Sequence, residues 1–278
     1  MSEQAQKAEL LRSLHHGSHA LVLPNAWDAA SARLFERAGF PAVATTSAGV
    51  AAMMGYPDEQ QIPREQMLLI VGRIAATVDV PVTADLESGF GATIAEVVET
   101  MRQAIRLGVV GVNLEDNTHL SEPPLVDLDY QCELIRAVRA AGQAEGVPLV
   151  INTRIDTYLR DVGTFSERYD LTIERAKAYL AAGADCVYPM GLSDGVDIAR
   201  MVQQLNAPIN ILIGPGTPTV PELDRMGVRR ITAGSGLMRA TLPFIQRMGE
   251  RLHRGEDLSD LFDHGFTYTV VNRLFERG

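Results

Sequence analysis

Between Ala20 and His253 the chain repeats one unit eight times: a short apolar run that reads as a strand, then an amphipathic stretch that reads as a helix. The strands are expected at 20–24, 41–46, 80–85, 109–115, 147–154, 184–189, 208–213 and 228–233. Helices follow at 28–38, 63–77, 93–107, 129–142, 167–182, 194–205, 218–226 and 236–253, and a loop is expected over 49–62. Several helices stop at a glycine before the next strand, as in A-G-F (38–40), L-G-V (107–109), A-G-A (182–184) and M-G-V (226–228). Strands that alternate with helices have to pair in parallel. Eight such units in about 250 residues make a (β/α)8 TIM-type barrel. The alternative, an open doubly wound sheet, lacks its dinucleotide fingerprint after the first strand.

No linker or low-complexity segment divides the chain, so residues 1–278 read as one barrel domain with an opening helix at 3–15. Residues 239–278 read as a C-terminal helical extension of it. Its tail carries Leu258, Leu261, Phe262, Phe266, Val270 and Leu274 on one side, and packs on its own barrel or on that of a partner.

A formal net charge of -10 excludes nucleic acid and anionic membranes as the main partners. No apolar run approaches the roughly 18 residues that span a bilayer, and the polar N-terminus does not read as a signal peptide. The two cysteines, Cys132 and Cys186, have no metal-type spacing, so a reducing cytoplasm is the expected compartment. Lys7 and Lys177 are the two lysines, and neither is on a strand, which excludes a Schiff-base aldolase.

In such a barrel the chemistry sits at the C-terminal ends of the strands. There V-P-V-T-A-D-L-E-S-G-F-G (80–91) delivers Asp85 and Glu87, and the next strand delivers Glu115 and Asp116. A single rim carboxylate is as readily a helix cap or an ion-pair partner. Carboxylates converging from neighbouring strands repel one another unless a cation compensates, and all-oxygen ligands favour Mg2+ or Mn2+. Arg154 on the fifth strand is shaped to hold a substrate carboxylate bidentately. The G-P-G (214–216) and G-S-G (234–236) turns offer backbone N–H groups to a second anionic group. His119, in the loop after the fourth strand, is the one histidine near the carboxylates and a candidate acid or base. His15, His16, His19, His253 and His264 read as surface or capping residues, and the cysteines as core. Together these residues describe a site for a small, doubly anionic substrate that chelates a metal, with a metal-stabilised enolate as the reaction's intermediate.

Five segments, P-N-A-W-D-A-A-S-A-R (24–33), T-T-S-A-G-V-A (45–51) with G-Y-P-D (55–58), T-A-D-L-E-S-G-F-G (83–91), G-V-N-L-E-D-N (111–117) and I-N-T-R-I-D (151–156), resemble the isocitrate lyase/phosphoenolpyruvate mutase superfamily in order and spacing. The resemblance covers nearly the whole chain. It implies a (β/α)8 barrel that binds Mg2+, acts on 2-oxo acids and their adducts, and forms dimers or tetramers by swapping C-terminal helices. By position, Asp85 would be the main metal-side carboxylate, with Glu87 in place of the aspartate of D-x-D-T-G-[YF]-G. Glu115 and Asp58 would hold metal-bound waters, Thr46 and Ser47 the oxo-acid carboxylate, and Asn210 the distal end of the substrate. Arg154 would face the substrate.

The resemblance departs at the loop after the fourth strand. The lyases of the family carry K-[KR]-C-G-H there, whose cysteine is the proposed acid; this chain reads T-H-L-S-E-P-P-L-V-D (118–127). The proton donor is then His119, Glu122 or a metal-bound water. The reading that follows is a Mg2+-dependent carbon–carbon lyase or decarboxylase, using Mn2+ as a substitute, that acts on a small 2-oxo or 2-hydroxy polycarboxylate. The alternatives are phosphorus–carbon chemistry, as a mutase or phosphonopyruvate hydrolase, and a barrel that binds a 2-oxo acid without turnover.

Overall fold

The computed structural model describes residues 1–263 and 265–276. Helix α1 (Glu3–Leu14) is followed by β1 (Leu21–Leu23) and β2 (Asn25–Ala26), which are one strand broken at Pro24. Proline has no N–H to donate to a ladder, so the strand changes partner there: β1 pairs with β9 (Arg230–Thr232), and β2 pairs with β3 (Val43–Thr45). From β3 the parallel ladder runs through β4 (Val82–Asp85), β5 (Gly111–Glu115), β6 (Val150–Ile155) and β7 (Cys186–Pro189). β8 (Asn210–Leu212) pairs with β9, and a parallel bridge between Val187 and Ile209 joins β7 to β8. The ring is therefore closed, and the expected barrel is what the alternation produces.

The crossover helices are α2 (Ala29–Arg37), α4 (Arg64–Thr77), α5 (Ile94–Arg106), α6 (Leu128–Ala144), α7 (Phe165–Ala182), α8 (Gly195–Leu205) and α9 (Val220–Met226). Their starts are locally encoded. Asp28, Thr93 and Thr164 each accept from the backbone N–H three residues on, and the residue at that position returns a hydrogen bond. One additional helix, α3 (Ser47–Met53), occupies the beginning of the segment expected to be a loop. Thr46 caps it through Gly49 N–H, and the Ala-rich run A-G-V-A-A-M propagates it.

Helix α1 closes the N-terminal end of the barrel. Leu11 is fully buried there, and a Cβ on Gly111 would lie 2.8 Å from its Cδ2, so glycine in β5 is what lets the helix seat. His15 is a correction to the sequence reading. It ends α1, as a capping residue would, with Nδ1 2.7 Å from Leu11 O. It is nevertheless 1% exposed, because the last turn of α1 is tucked under the strands. His264 lies outside the described residues. Both cysteines are free and buried.

Helix α10 (Gly236–His253), a 3-10 turn (Ser259–Phe262) and α11 (Tyr268–Arg273) complete the chain. Of α10 only Met238 is buried; Leu242, Phe244, Ile245 and Leu252 face outward. Among the described residues no helix is long and apolar enough to cross a membrane.

Candidate active site at the barrel mouth

The turn after β4 is built to bring two carboxylates to the mouth. Glu87 and Phe90 adopt left-handed backbone (φ 52° and 55°), as does Gly89 (φ 103°). A Cβ on Gly89 would lie 2.3 Å from Val97 Cγ1, so glycine is required by both conformation and close approach. The turn is clamped by Gln60, from the loop before α4. Its backbone N–H donates to Glu87 Oε2 at 2.7 Å, its Oε1 accepts from Phe90 N–H at 2.7 Å, and its Nε2 donates to Ser88 Oγ. Sequence reading missed Gln60, since nothing local ties it to a carboxylate 27 residues away.

Asp85 ends β4 with both oxygens engaged. Ser47 donates to Oδ2 from its backbone N–H (3.0 Å) and hydroxyl (2.9 Å), and Asn113 Nδ2 lies 3.4 Å from Oδ1. Asn113 is itself oriented from below: its Oδ1 accepts from Asn152 Nδ2 at 2.7 Å and from Arg230 Nη2 at 3.2 Å. Arg230 is wholly buried in the barrel centre, with Nε and Nη1 unpartnered. Burial lowers its proton affinity while Cys186, Tyr188 and Asp85 raise it. No sequence signal pointed to it.

Arg154 lies between two acids. Nε and Nη2 grip Asp156 at 2.6 and 2.7 Å, and Nη1 reaches Glu115 Oε2 at 2.7 Å. Burial opposes the charge, but Glu115 and Asp156 hold it firmly protonated. Three of its five N–H groups are then used, which leaves two for a ligand. Asp116, the other acid of β5, belongs to the wall: Tyr179 and Arg175 hold its Oδ2 at 2.7 and 3.1 Å.

Glu87 and Glu115 are 3% and 2% exposed. Burial pushes the Glu87 carboxyl up to about 8, with Asp85 and Asp58 adding repulsion. Burial also pushes Glu115 well above the usual carboxylate range, against the pull of Arg154 and with Asp156, Glu87 and Asp85 adding to the rise. Asp58, on the lip of the mouth, is raised by burial and by Asp85. His119 Nε2 is 3.3 Å from Glu115 Oε1 and 3.2 Å from Ser88 Oγ, and burial lowers its proton affinity. Among the described residues, Glu87, Glu115 and His119 are the group whose candidate ligand atoms all lie within 4.8 Å of one another. Glu87 Oε1 and His119 Nδ1 are buried and unpartnered. Excess buried acid with an orphaned oxygen fits a divalent cation.

The remaining expected residues fall as follows. Thr46 Oγ1 caps α3, and Ser47 is committed to Asp85, so both are turned inward. Asn210 opens β8 and is fully buried below the rim; its Oδ1 accepts from Thr232 at 3.2 Å, and its Nδ2 is unpartnered. Glu122 lines a different cavity with Ser121, Leu159 and Arg160. In the G-S-G turn the N–H of Gly234, with that of Ala233, donates to Asn25 Oδ1 at 2.9 Å. Tyr188 is in register with Arg154 on the neighbouring strand, next to Thr232, and burial keeps its phenol protonated.

Comparison with known proteins supports the same barrel. A crystal structure from Burkholderia cenocepacia J2315, described provisionally as a lyase/mutase, is 36% identical, with a TM-score of 0.90 over 99% of this chain and 97% of that one. The 2-methylisocitrate lyase of Bacillus subtilis is 25% identical over 94% of this chain and 90% of that protein. Oxaloacetate acetylhydrolase, solved with its product oxalate, is 27% identical with a TM-score of 0.84, over 96% and 93% of the two chains. The sequence model of phosphoenolpyruvate phosphomutase matches residues 11–253. The chain therefore belongs to the phosphoenolpyruvate phosphomutase family, within the isocitrate lyase/phosphoenolpyruvate mutase superfamily.

Proposed function

We propose that this chain is a divalent-metal-dependent carbon–carbon lyase or decarboxylase acting on a small 2-oxo or 2-hydroxy polycarboxylate. The observation that carries the reading is the mouth itself, where Asp85, Glu87 and Glu115 crowd beside Arg154 and Glu87 Oε1 is buried without a partner. Asp85, Glu87, Glu115 and Asp58 would hold Mg2+, or Mn2+ in its place. When bound, the cation supplies Lewis acidity that stabilises negative charge on the substrate's oxygens.

The chain's own residues do the rest. Arg154 binds a substrate carboxylate through its two remaining N–H groups while Asp156 and Glu115 keep its plane fixed. In a 2-hydroxy acid the hydroxyl proton passes to a carboxylate of the mouth, the C–O bond becomes the carbonyl of the oxo-acid product, the adjacent carbon–carbon bond breaks, and its electron pair stays on the departing carbon as an enolate. Tyr188 Oη, neutral and on the inner wall beside Arg154, returns a proton to that carbon. No cysteine is needed. Among the named relatives, 2-methylisocitrate lyase and oxaloacetate acetylhydrolase both act on small polycarboxylates, which supports this substrate class.

The outward Leu242, Ile245 and Leu252 of α10 support a homo-oligomer in which the C-terminal segment meets another copy, and light scattering reads that directly. The free buried cysteines support a cytoplasmic location.

Incubation with Mg2+ and isocitrate, methylisocitrate, dimethylmalate, oxaloacetate and phosphonopyruvate, one at a time, tests the reading. Release of an oxo acid or of another carbon–carbon cleavage product from one of the first four is expected. Phosphate from phosphonopyruvate as the only product would overturn it in favour of phosphorus–carbon chemistry. Binding of every compound without turnover would leave only a 2-oxo acid binding barrel.

A further inference from the structure

His119 occupies the place of a ligand. The loop after β5 fixes it: its backbone is left-handed (φ 58°), its N–H donates to Asn117 Oδ1 at 2.8 Å, and Arg160 holds the next carbonyl, Leu120 O, at 2.6 Å. The ring thereby lies against Glu115 and Ser88, on the wall of a cavity of about 470 Å3 that Gln60, Asn117 and Tyr130 also line.

Each acid of the group has one oxygen with no hydrogen-bond partner, Oε1 of Glu87 and Oε2 of Glu115. Glu87 Oε2 accepts from Gln60 N–H at 2.7 Å, and Oε1 has no partner. Glu115 Oε2 faces Arg154 at 2.7 Å, and Oε1 faces His119 at 3.3 Å. A plain Glu115–His119 hydrogen bond would explain one of these contacts and leave the Glu87 oxygen, on a residue 3% exposed, with nothing. A cation explains both. Metal bonds of about 2.1 Å put adjacent ligand atoms about 3 Å apart and opposite ones about 4.2 Å apart. The three candidate ligand atoms lie within 4.8 Å of one another, so shifts of an ångström or less close the shell.

We infer that His119 ligates the mouth's cation directly, together with Glu87 and Glu115, and that this nitrogen turns the site's preference from Mg2+ to a first-row transition dication such as Mn2+, Co2+ or Zn2+. The inference deepens the cation reading proposed above and rests on it. The chemistry is that of the donor set: Mg2+ keeps to oxygen and water, while imidazole raises affinity in the order Mn2+, Fe2+, Co2+. The residue that sequence reading marked as an acid or base then has its lone pair committed to metal, which agrees with a proton source elsewhere on the wall.

The experiment uses chelator-stripped full-length protein. Calorimetry with Mg2+, Co2+ and Zn2+, together with the Co2+ absorption spectrum, is read for the wild type, His119→Gln, His119→Asn and Asp85→Asn. Asparagine suits the left-handed backbone, so at least one His119 variant should fold, as circular dichroism will show. The wild type is expected to bind Co2+ at least roughly a hundredfold tighter than Mg2+. Both His119 variants should lose roughly thirtyfold in Co2+ and Zn2+ affinity, with Mg2+ affinity within about threefold and an altered Co2+ spectrum. An unchanged Co2+-to-Mg2+ ratio in the His119 variants overturns the inference; Mg2+ binding that still disappears in Asp85→Asn would show that the cation reading survives it. A wild type that binds none of the three ions overturns both.

Discussion

The two ends of the barrel treat buried charge in opposite ways. At the floor, Asp185 is shared by Arg12 (Nε at 3.0 Å), Arg139 and the backbone N–H of Ile151 (2.7 Å), so its buried carboxylate is fully paired. His15, a titratable ring buried there, is held neutral by burial and by Arg230. At the mouth, Asp58, Asp85, Glu87 and Glu115 press on one another, and Glu87 Oε1 has no partner. A protein that pairs its buried carboxylate at the floor is capable of pairing those at the mouth. The difference therefore marks where stability has been given up for binding.

Substitutions at the two ends should separate accordingly. The largest effect is expected from Asp85→Asn: at least about a thousandfold loss of metal-dependent turnover, equivalent to about 4 kcal/mol, with the melting temperature little changed. An active Asp85→Asn enzyme would remove the contrast between the ends. Asp185→Ala should do the converse, costing about 3–4 kcal/mol in urea unfolding because two arginines lose their partner. Turnover per folded molecule should persist.

His15 ranks next. Burial, with Arg230 second, lowers its folded value from 6.5 to about 4. The unfolded chain therefore binds the proton more tightly, and stability is lost as pH falls through 6.5 and is fully lost below about 4, by about 3 kcal/mol. His15→Gln should flatten that part of the pH–stability curve relative to wild type, and a curve that stays parallel would contradict the neutral floor. The smallest effect is expected from Glu87→Gln. The metal-free protein should gain about 1 kcal/mol as a buried, repelled carboxyl is removed, while the thermal shift on adding divalent cation shrinks. A loss of metal-free stability would mean that the mouth carries no excess of acid.

What could be read in advance follows the range of each interaction. The closed ring was legible because strand, helix and glycine stop are local, and because eight parallel units have few ways to bury their faces. The first part of the segment expected to be a loop, 49–53, is helical, because Gly49 hides a helix start; there a Cβ would strike Thr46 Cγ2 at 2.5 Å, so the glycine serves packing and not a turn. Asp85, Glu87, Glu115 and Arg154 were legible as residues of the barrel's rim because each sits at or just beyond a strand end. Gln60 and Arg230 were not, since they reach their partners 27 and 117 residues away.

Residue order alone determined the periodicity, the carboxylate-bearing turns and the family pattern, because these depend on spacing along the chain. Tertiary structure alone decided which donors the acids already hold. Arg154 closes on Asp156, Ser47 on Asp85 and Gln60 on Glu87, and what remains is one oxygen each on Glu87 and Glu115 without a hydrogen-bond partner, beside His119. Hydrogen-bond satisfaction is a property of three-dimensional neighbours, and only the closed barrel brings those neighbours together.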